Sequence, residues 1–194
     1  TTIATTPTNN TCTPYASSGQ SIIGGASNEI PITMGCGYIN EPCVAVKICE
    51  PGSLTNCQII DHILLDTGSY GLRLFNCTVS LNLPHQTSGG QEIAQCVHYA
   101  DGSADWGPVM IADLTMGGQT SLNQTIQIID PDYSTAPGEC SGAEFSPQVS
   151  GFNGILGVGL IKCDCPACNA GNANAGYYKC TSSSCTGFAA PTAV

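Results

Sequence analysis

One carboxylate in this sequence is placed where it could do chemistry. Asp66 ends the apolar run 63–65 and is followed by Thr67, Gly68 and Ser69. The run predicts a buried strand, and residues 67–69 predict a sharp turn in which Gly68 permits positive φ and close backbone approach. A carboxylate in that position is partly desolvated, yet backbone N–H groups and hydroxyls can hold its orientation. The alternative interpretation is an ordinary Asp-Thr-Gly turn whose Asp only caps the loop.

Cysteines form the second group with chemical potential. The chain has 13 of them, and the closest group is Cys163, Cys165, Cys168 and Cys180. Four thiolates at short spacings can bind Zn²⁺, but Cys-x-Cys is less usual in zinc sites than Cys-x-x-Cys. Disulfides are therefore favoured, about six of them if all but one cysteine pair. Cys96 and His98 point to one face of a predicted strand, as a thiolate–imidazole pair would, but a disulfide at Cys96 is preferred.

The elements that must position these residues are short strands. From about residue 21 to residue 160, apolar runs alternate with clusters of Gly, Pro, Asn and Asp, which is typical of an all-β domain. No segment keeps a 3.6-residue apolar period, so any helix is expected to be short. The predicted strands are 30–34, 43–49, 58–65, 72–75, 92–99, 109–116, 125–129 and 155–158.

Two segments of different composition flank this β domain of residues 21–160. Residues 1–20 are rich in Thr, Ser and Asn and predict an extended arm that Cys12 could pin. Residues 161–194 contain the cysteine group and an Asn-Ala alternation, and they have too few apolar residues to fold alone. They predict a Cys-rich irregular tail. Thr1 carries no signal-peptide pattern, so a processed product or an excised piece is expected.

Three segments, in order, resemble the N-terminal lobe of a pepsin-like aspartic protease. Residues 63–69, Ile-Leu-Leu-Asp-Thr-Gly-Ser, resemble the segment that carries a catalytic Asp in that family. Residues 99–103, Tyr-Ala-Asp-Gly-Ser, resemble the tip of the flap hairpin, and residues 106–118 resemble its returning strand. Residues 151–160 resemble the segment whose Ile-Leu-Gly strand threads the catalytic loop and closes a ψ-shaped motif. The finer pattern is closest to secreted bacterial pepsin-like proteins whose chains continue into a second lobe.

The resemblance implies an all-β, disulfide-rich fold, a single pepsin-like lobe with a ψ-loop, barrel-like sheet and flap hairpin. It implies that Asp66 is one of two catalytic carboxylates, that Ser69 hydrogen-bonds its outer oxygen, and that Thr67 joins the hydroxyl–backbone network beneath the pair. The implied catalytic loop is Asp66, Thr67, Gly68 and Ser69. The implied substrate-binding residues of the flap are Tyr99, Asp101, Gly102 and Ser103.

The sequence also departs from the family pattern. Ala100 stands where Gly is usual in the flap, and Asp101 adds an acidic group beside it. Asn153 stands where Asp is common before Gly-Ile-Leu-Gly, and residues 70–73 replace the usual Ser-x-x-Leu-Trp. Substrate preference therefore does not follow from the resemblance.

The chemistry of the family needs two Asp side chains that share one proton. The sequence has eight aspartates and no second Asp-Thr-Gly or Asp-Ser-Gly. Three interpretations remain: a second lobe supplies the other Asp, two copies pair and each donates Asp66, or catalysis has been lost. The leading hypothesis is one lobe of a secreted aspartic endopeptidase. The opposing one is a non-catalytic extracellular structural protein, self-assembling on a surface or in a filament, whose arm adds to a neighbour's sheet edge.

Composition limits the partners. A net charge of −10 with four Lys and Arg argues against nucleic acid, because phosphate binding needs clustered cations. No apolar run approaches the ~20 residues of a membrane span. A surface with 9% charged residues must use neutral polar groups, which suits a secreted or cell-surface protein. The expected partners are a polypeptide substrate, a second lobe, or further copies in an oligomer or filament. No metal site or other cofactor is predicted.

Overall fold

A computed structural model describes residues 12–26, 28–37, 40–160 and 176–189 of the chain. In these ranges eleven strands form one sheet. The strands are β1 Thr33–Met34, β2 Pro42–Cys49, β3 Cys57–Asp66, β4 Tyr70–Phe75, β5 Thr87–Ser88, β6 Gln91–His98, β7 Ala104–Met116, β8 Gln119–Ile129, β9 Gly154–Val158, β10 Tyr177–Cys180 and β11 Cys185–Gly187. The described α-helix is the four-residue α1, Pro147–Ser150. The predicted all-β class and the expectation of short helices are confirmed.

Six of the strands close into a barrel. Their order is β2, β3, β9, β4, β8 and β7, and β7 pairs again with β2 at Ile48 and Leu114. Closure pairs every one of these strands on both sides, so the barrel leaves no open edge of its own. The interior is filled by fully buried aliphatic side chains, among them Val44, Val46, Ile48, Ile63, Leu74 and Ala112.

Two strands begin earlier than the sequence predicts. The prediction started β7 at residue 109, but it begins at Ala104 and runs through Gly107 and Pro108. The prediction started β8 at residue 125, but it begins at Gln119, in a stretch whose first six residues are exposed. In β7 the breaker residues hide the strand from sequence analysis, and in β8 a polar stretch does so. In both cases pairing with a neighbouring strand supplies the stability that the local sequence does not indicate.

The C-terminal segment is more regular than expected. An irregular tail was predicted for residues 161–194, but β10 and β11 form a hairpin closed by the Cys180–Cys185 disulfide. β10 pairs with β6 and extends the sheet beyond the barrel. Tyr178 packs edge-on against the buried Trp106, with 5.5 Å between ring centroids. A short aromatic strand of this kind gains most of its stability from the sheet it joins.

Five disulfides staple the described residues. They join Cys12 to Cys77, Cys36 to Cys43, Cys49 to Cys57, Cys96 to Cys140 and Cys180 to Cys185. The predictions that a cysteine pins the N-terminal arm and that Cys96 is disulfide-bonded are confirmed. Pairing of Cys180 removes it from the alternative zinc set, and the three cysteines at 163, 165 and 168 lie outside the described residues.

β9 lies between two strands that follow each other in the chain. It runs parallel to β3, with Asp66 beside Gly157, and antiparallel to β4, with Gly71 beside the same Gly157. The loop from Asp66 to Tyr70 therefore passes over the end of β9. Gly157 makes this passage possible, because a Cβ atom there would overlap the backbone N of Tyr70.

A β-bulge shapes β3 upstream of Asp66. Val44 pairs with Ile63 and Val46 with Ile60, so Asp61 and His62 together face one residue of β2. His62 takes the left-handed conformation at φ 55°, which is uncommon for a residue other than glycine. Its carbonyl oxygen accepts a hydrogen bond from the backbone N–H of Asn153 at 2.7 Å, which holds the bulge against the segment leading into β9.

The N-terminal arm is bound to this bulge. Asp61 is 2% exposed, and its Oδ2 accepts hydrogen bonds from the Ser18 N–H at 2.6 Å and from the hydroxyls of Ser17 and Ser18 at 3.0 and 2.8 Å. Burial raises the pKa of Asp61, but the hydrogen bonds from His62, Ser18 and Ser17 outweigh it and bring the pKa below its usual value. The described part of the arm thus packs on its own barrel.

Asn153 uses both ends of its amide in the same place. Its Nδ2 donates to the carbonyl oxygens of Asp61 at 3.0 Å and Tyr15 at 3.3 Å, and its Oδ1 accepts from the Tyr15 N–H at 2.8 Å. The side chain is buried, so these groups cannot turn to water instead. An ionised Asp could not donate, which gives a physical reason for Asn at this position.

Replacing Gly157 by Ala should prevent the passage of the Asp66–Tyr70 loop over β9. The added methyl group meets backbone, which cannot rotate away, so we expect the free energy of unfolding to fall by about 3 kcal/mol or more. Gly138→Ala is the matched control, because a Cβ there meets nothing within 4 Å and φ is not in the left-handed region. Chemical denaturation of both variants measures the difference; equal stabilities would contradict the close passage.

Replacing Asn153 by Asp should destabilise the arm and the bulge. At pH 7 the carboxylate would face two carbonyl oxygens with no proton to donate, and we expect a loss of about 1–3 kcal/mol. The loss should shrink near pH 3, where a protonated Asp can donate once. Asn56→Asp, at an exposed position, is the control. Urea unfolding at the two pH values is the measurement, and a pH-independent loss would argue against this origin.

Candidate active site

Asp66 occupies the last position of β3 and is half-buried. Its Oδ1 accepts a hydrogen bond from the backbone N–H of Gly68 at 2.8 Å. Gly68 could have adopted positive φ, but the glycine with positive φ here is Gly71, at 82°. Close approach at Gly68 is present, since a Cβ there would lie 3.3 Å from Asp66 Oδ1. The turn therefore fixes the carboxylate through one backbone donor.

The two hydroxyl residues of the loop do not hold Asp66 in this structure. Ser69 Oγ is buried and makes no hydrogen bond, so the expected bond from Ser69 to the outer oxygen of Asp66 is not formed. Thr67 is exposed. The carboxylate is thus positioned by the backbone of its turn rather than by a hydroxyl network.

The tip of the β6–β7 hairpin is brought to the same place as Asp66. Asp66, Tyr99, Asp101 and Ser103 line one cavity of about 390 Å³. Its other lining residues are Glu41, Leu64, Glu144, Val149, Ser150, Phe152 and Ile155. Of the predicted site residues, Thr67, Gly68, Ser69 and Gly102 do not line it. The cavity is large enough for several side chains of a bound polypeptide.

The hairpin tip is closed by its own hydrogen bonds. The Tyr99 N–H donates to the Ser103 carbonyl oxygen at 3.0 Å, and Gly102, at φ 92°, donates to the Tyr99 carbonyl oxygen at 3.1 Å. Asp101 Oδ1 accepts from the N–H and the hydroxyl of Ser103 at 2.9 and 2.8 Å. These two hydrogen bonds lower the pKa of Asp101, so its carboxylate stays ionised at the rim of the cavity.

Tyr99 is anchored by a buried acid on the returning strand. Its hydroxyl donates to Asp105 Oδ2 at 2.7 Å, and Asp105 is completely buried. Burial raises the pKa of Asp105 to about 7, although the hydrogen bond from Tyr99 opposes the shift. Burial and the nearby Asp105 also raise the pKa of Tyr99, so its hydroxyl keeps its proton and remains a donor.

Carboxyl groups dominate the cavity wall. Glu41, Asp66, Asp101 and Glu144 line it, and none of the lining residues is Lys or Arg. Burial raises the pKa of Glu144, with a smaller opposing effect from the Ser150 hydroxyl, which donates to its Oε2 at 2.9 Å. Among the described residues, no hydrogen bond joins Asp66 to another carboxyl group. Those residues therefore contain no acid placed to share a proton with Asp66.

Asp61 and Asp66 both lie on β3 but have different surroundings. The bulge at Asp61 and His62 interrupts the regular alternation of β3. The separation comes instead from the partners of each acid: Asp61 binds the arm, while Asp66 faces the hairpin tip.

Sequence reasoning missed Asp105, Glu41 and Glu144. The strand was predicted to begin at residue 109, so the burial of Asp105 between Ala104 and Trp106 was not recognised. Glu41 and Glu144 lie in loops, and only the three-dimensional fold brings them to the cavity wall.

One metal-like group occurs among the described residues, formed by Cys96, His98 and Cys140. The two sulfur atoms are joined in a disulfide, and His98 Nε2 lies 3.4 Å from Cys96 Sγ. Without free thiolates this group is not a zinc site. Within the ranges that the structure covers, no helix combines the length and the apolar character of a membrane span.

Residues 24–194 match the family described as "Protein of unknown function (DUF3443)". The match covers most of the chain, and the protein belongs to this family. Comparison with curated proteins gives no match.

Proposed function

We propose that this DUF3443 chain is one lobe of a secreted pepsin-like aspartic endopeptidase, with Asp66 as one of its two catalytic carboxylates. The observation that carries the proposal is the cavity in which Asp66 meets the tip of the β6–β7 hairpin. Residues 66 and 99–103 are far apart in sequence, and nothing in the packing of a β-barrel alone requires them to meet. An acid facing a hairpin tip across a cleft is suited to holding an extended polypeptide.

The position of β9 gives the proposal independent support. The ψ-shaped motif of pepsin-like proteases has a strand between the two strands joined by the catalytic loop. β9 lies in this way between β3 and β4, with its Ile155-Leu156-Gly157 segment beside Asp66. The likeness in sequence and the arrangement of the strands thus agree at the residues that would carry the chemistry.

The reaction would be hydrolysis of a peptide bond by a water molecule held between two carboxyl groups. One carboxylate takes a proton from the water, while the other, protonated, donates to the oxygen of the scissile carbonyl. Two close carboxyl groups share one proton because their repulsion prevents both from ionising. Asp66 would be one member of this pair, oriented by the Gly68 N–H. Tyr99, Asp101 and Ser103 would cover the substrate from the opposite side.

The second carboxylate would come from another lobe or from a second copy of the chain. Of the acids on the cavity wall, Glu41, Asp101 and Glu144 make no hydrogen bond to Asp66 among the described residues, so none is placed as its partner. The surface beside the Asp66 loop suits a packing partner, because Val158 and Leu160 are exposed there and the Gly159 N–H bonds the Ser69 carbonyl oxygen at 2.9 Å. Burying such apolar groups favours association.

Secretion fits the covalent structure. Five disulfides among the described residues suggest an oxidising compartment, where such bonds form and persist. Only 9% of the residues are charged, so the surface uses mainly neutral polar groups, which also suits a secreted protein.

The native protein, purified with any chain that accompanies it, should cleave denatured proteins at acidic pH. Asp66→Asn should lower kcat/KM by about a thousandfold or more, because Asn can neither activate water nor exchange a proton. Asp132→Asn, at an exposed position outside the cavity, is the control and should change kcat/KM by less than about twofold.

Intact-mass measurement of the same preparation identifies the source of the second acid. A partner with its own Asp-Thr-Gly or Asp-Ser-Gly, or a dimer, agrees with the proposal. Absence of cleavage by the complete assembly, or full activity of Asp66→Asn, contradicts it. The first of these results would favour the non-catalytic extracellular module.

A further inference from the structure

We infer that Asp105 is the positioning residue for Tyr99, and that protonation of its carboxyl group holds the β6–β7 hairpin closed over the Asp66 cavity. The inference rests on the proposed function only for what Tyr99 would do to a substrate. The coupling between the buried acid and the hairpin is a property of the fold, whether or not the protein is a protease.

The geometry assigns Asp105 this role. It is the second residue of β7, directly after the tip, and its Oδ2 accepts the Tyr99 hydroxyl at 2.7 Å. Tyr99 lines the cavity, whereas Asp105 does not and is 0% exposed. The acid thus contacts the cavity wall through Tyr99, and the hydrogen bond sets where the phenol ring lies.

The surroundings of the other carboxyl oxygen of Asp105 favour the neutral acid over the ionised carboxylate. Oδ1 is buried and has no hydrogen-bond partner. An ionised carboxylate has several strong acceptor positions, so it is poorly solvated in this environment, while the neutral acid is tolerated better. Opening of the hairpin would let water reach Asp105 and would relieve the burial of its charge.

Four charged or titratable groups face Asp105 from the surrounding elements. They are Tyr99 and Asp101 at the hairpin tip, Arg73 on β4, and Glu144 in the segment before α1. Arg73 is buried and favours the ionised form of Asp105, whereas Glu144 and Asp101 disfavour it. Burial and the two acids together outweigh the hydrogen bond from Tyr99 and the single cation, so the closed hairpin prefers the neutral acid.

The direction of the pH effect follows from this preference. In the closed hairpin the pKa of Asp105 is about 7, and in an open, hydrated hairpin it would return towards about 4. The closed form therefore binds the proton more tightly, and closure is strongest below pH 4. Between about pH 4 and pH 7 the closing equilibrium weakens by up to about tenfold per pH unit, and above pH 7 it changes no further.

Hydrogen exchange in the full chain tests the inference without a substrate. One reporter is the Glu144 N–H, which bonds the Ala104 carbonyl oxygen at 2.8 Å and ties the hairpin to the neighbouring segment. The others are the Tyr99 and Gly102 amides of the tip. After correction for the intrinsic exchange rate, we expect protection of these amides to fall by about tenfold or more between pH 4.5 and pH 8.

Three variants separate Asp105 from its neighbours. Asp105→Asn keeps an acceptor for Tyr99 but cannot ionise, so protection should not depend on pH. Asp132→Asn removes an exposed acid outside the cavity and should leave the fall in protection unchanged. Tyr99→Phe removes the hydroxyl that Asp105 binds, so the reporter amides should lose protection at pH 4.5 while the protein remains folded. This variant tests the inference even if Asp105→Asn does not fold.

The inference is overturned if protection in the unaltered protein does not depend on pH, or if Asp105→Asn retains the dependence. Its failure is distinct from failure of the proposed function. A pH-dependent hairpin in a protein without peptidase activity would refute the protease alone. A pH-independent hairpin in an active peptidase would refute the role of Asp105 alone.

Discussion

The passage of the Asp66–Tyr70 loop over the end of β9 is the constraint on which the rest of the structure depends. A strand can lie between two chain-adjacent strands only if the loop joining them crosses it at backbone distance, and Gly157 is the residue that allows this crossing. The crossing ties three things together: the barrel closes through β9, Asp66 is held at the strand end, and the turn that follows points its backbone N–H at the carboxylate. A change at the crossing therefore alters the fold and the site at once.

Behind this crossing, polar groups are buried in a way that holds β3 from the opposite side. Asp61 and Asn153 together bind the N-terminal arm and the bulge, through hydrogen bonds that use every polar atom of the Asn153 side chain. Such a network is stabilising only when its donors and acceptors are all matched. The cavity side is different, because Ser69 Oγ and Asp105 Oδ1 are buried without partners. A buried polar atom without a partner costs stability, which is a reason to ask what function its position serves.

The sequence predicted what depends on local pattern. Apolar runs indicated most of the barrel strands, and the run before Asp66 placed that carboxylate at a strand end, where it lies. What failed depends on contacts between distant segments. The hairpin β10–β11 was hidden because Tyr177 and Tyr178 form too short an apolar run, and β6 stabilises it from far away in the sequence. Which glycine takes the positive φ could not be predicted either, because the path of the loop across β9 places it at Gly71 rather than at Gly68. The Tyr99–Asp105 hydrogen bond requires knowing the hairpin register, which composition does not give.

The acidic wall of the cavity has a consequence for any second carboxylate brought next to Asp66. Glu41, Asp101 and Glu144 already surround the site, and no Lys or Arg is among the described residues that line the cavity. A further acid in contact with Asp66 would raise the combined proton affinity of the pair, because each ionisation would then be opposed by several neighbouring charges. Both ionisation steps of the pair would then move to higher pH, so the singly protonated pair would persist to higher pH than in a neutral cleft. The same field favours the neutral form of Asp105, so the wall that would keep the catalytic pair singly protonated also favours a closed hairpin. Under the proposed function, lower pH would thus favour both the protonated catalytic pair and closure of the β6–β7 hairpin, through one set of carboxyl groups.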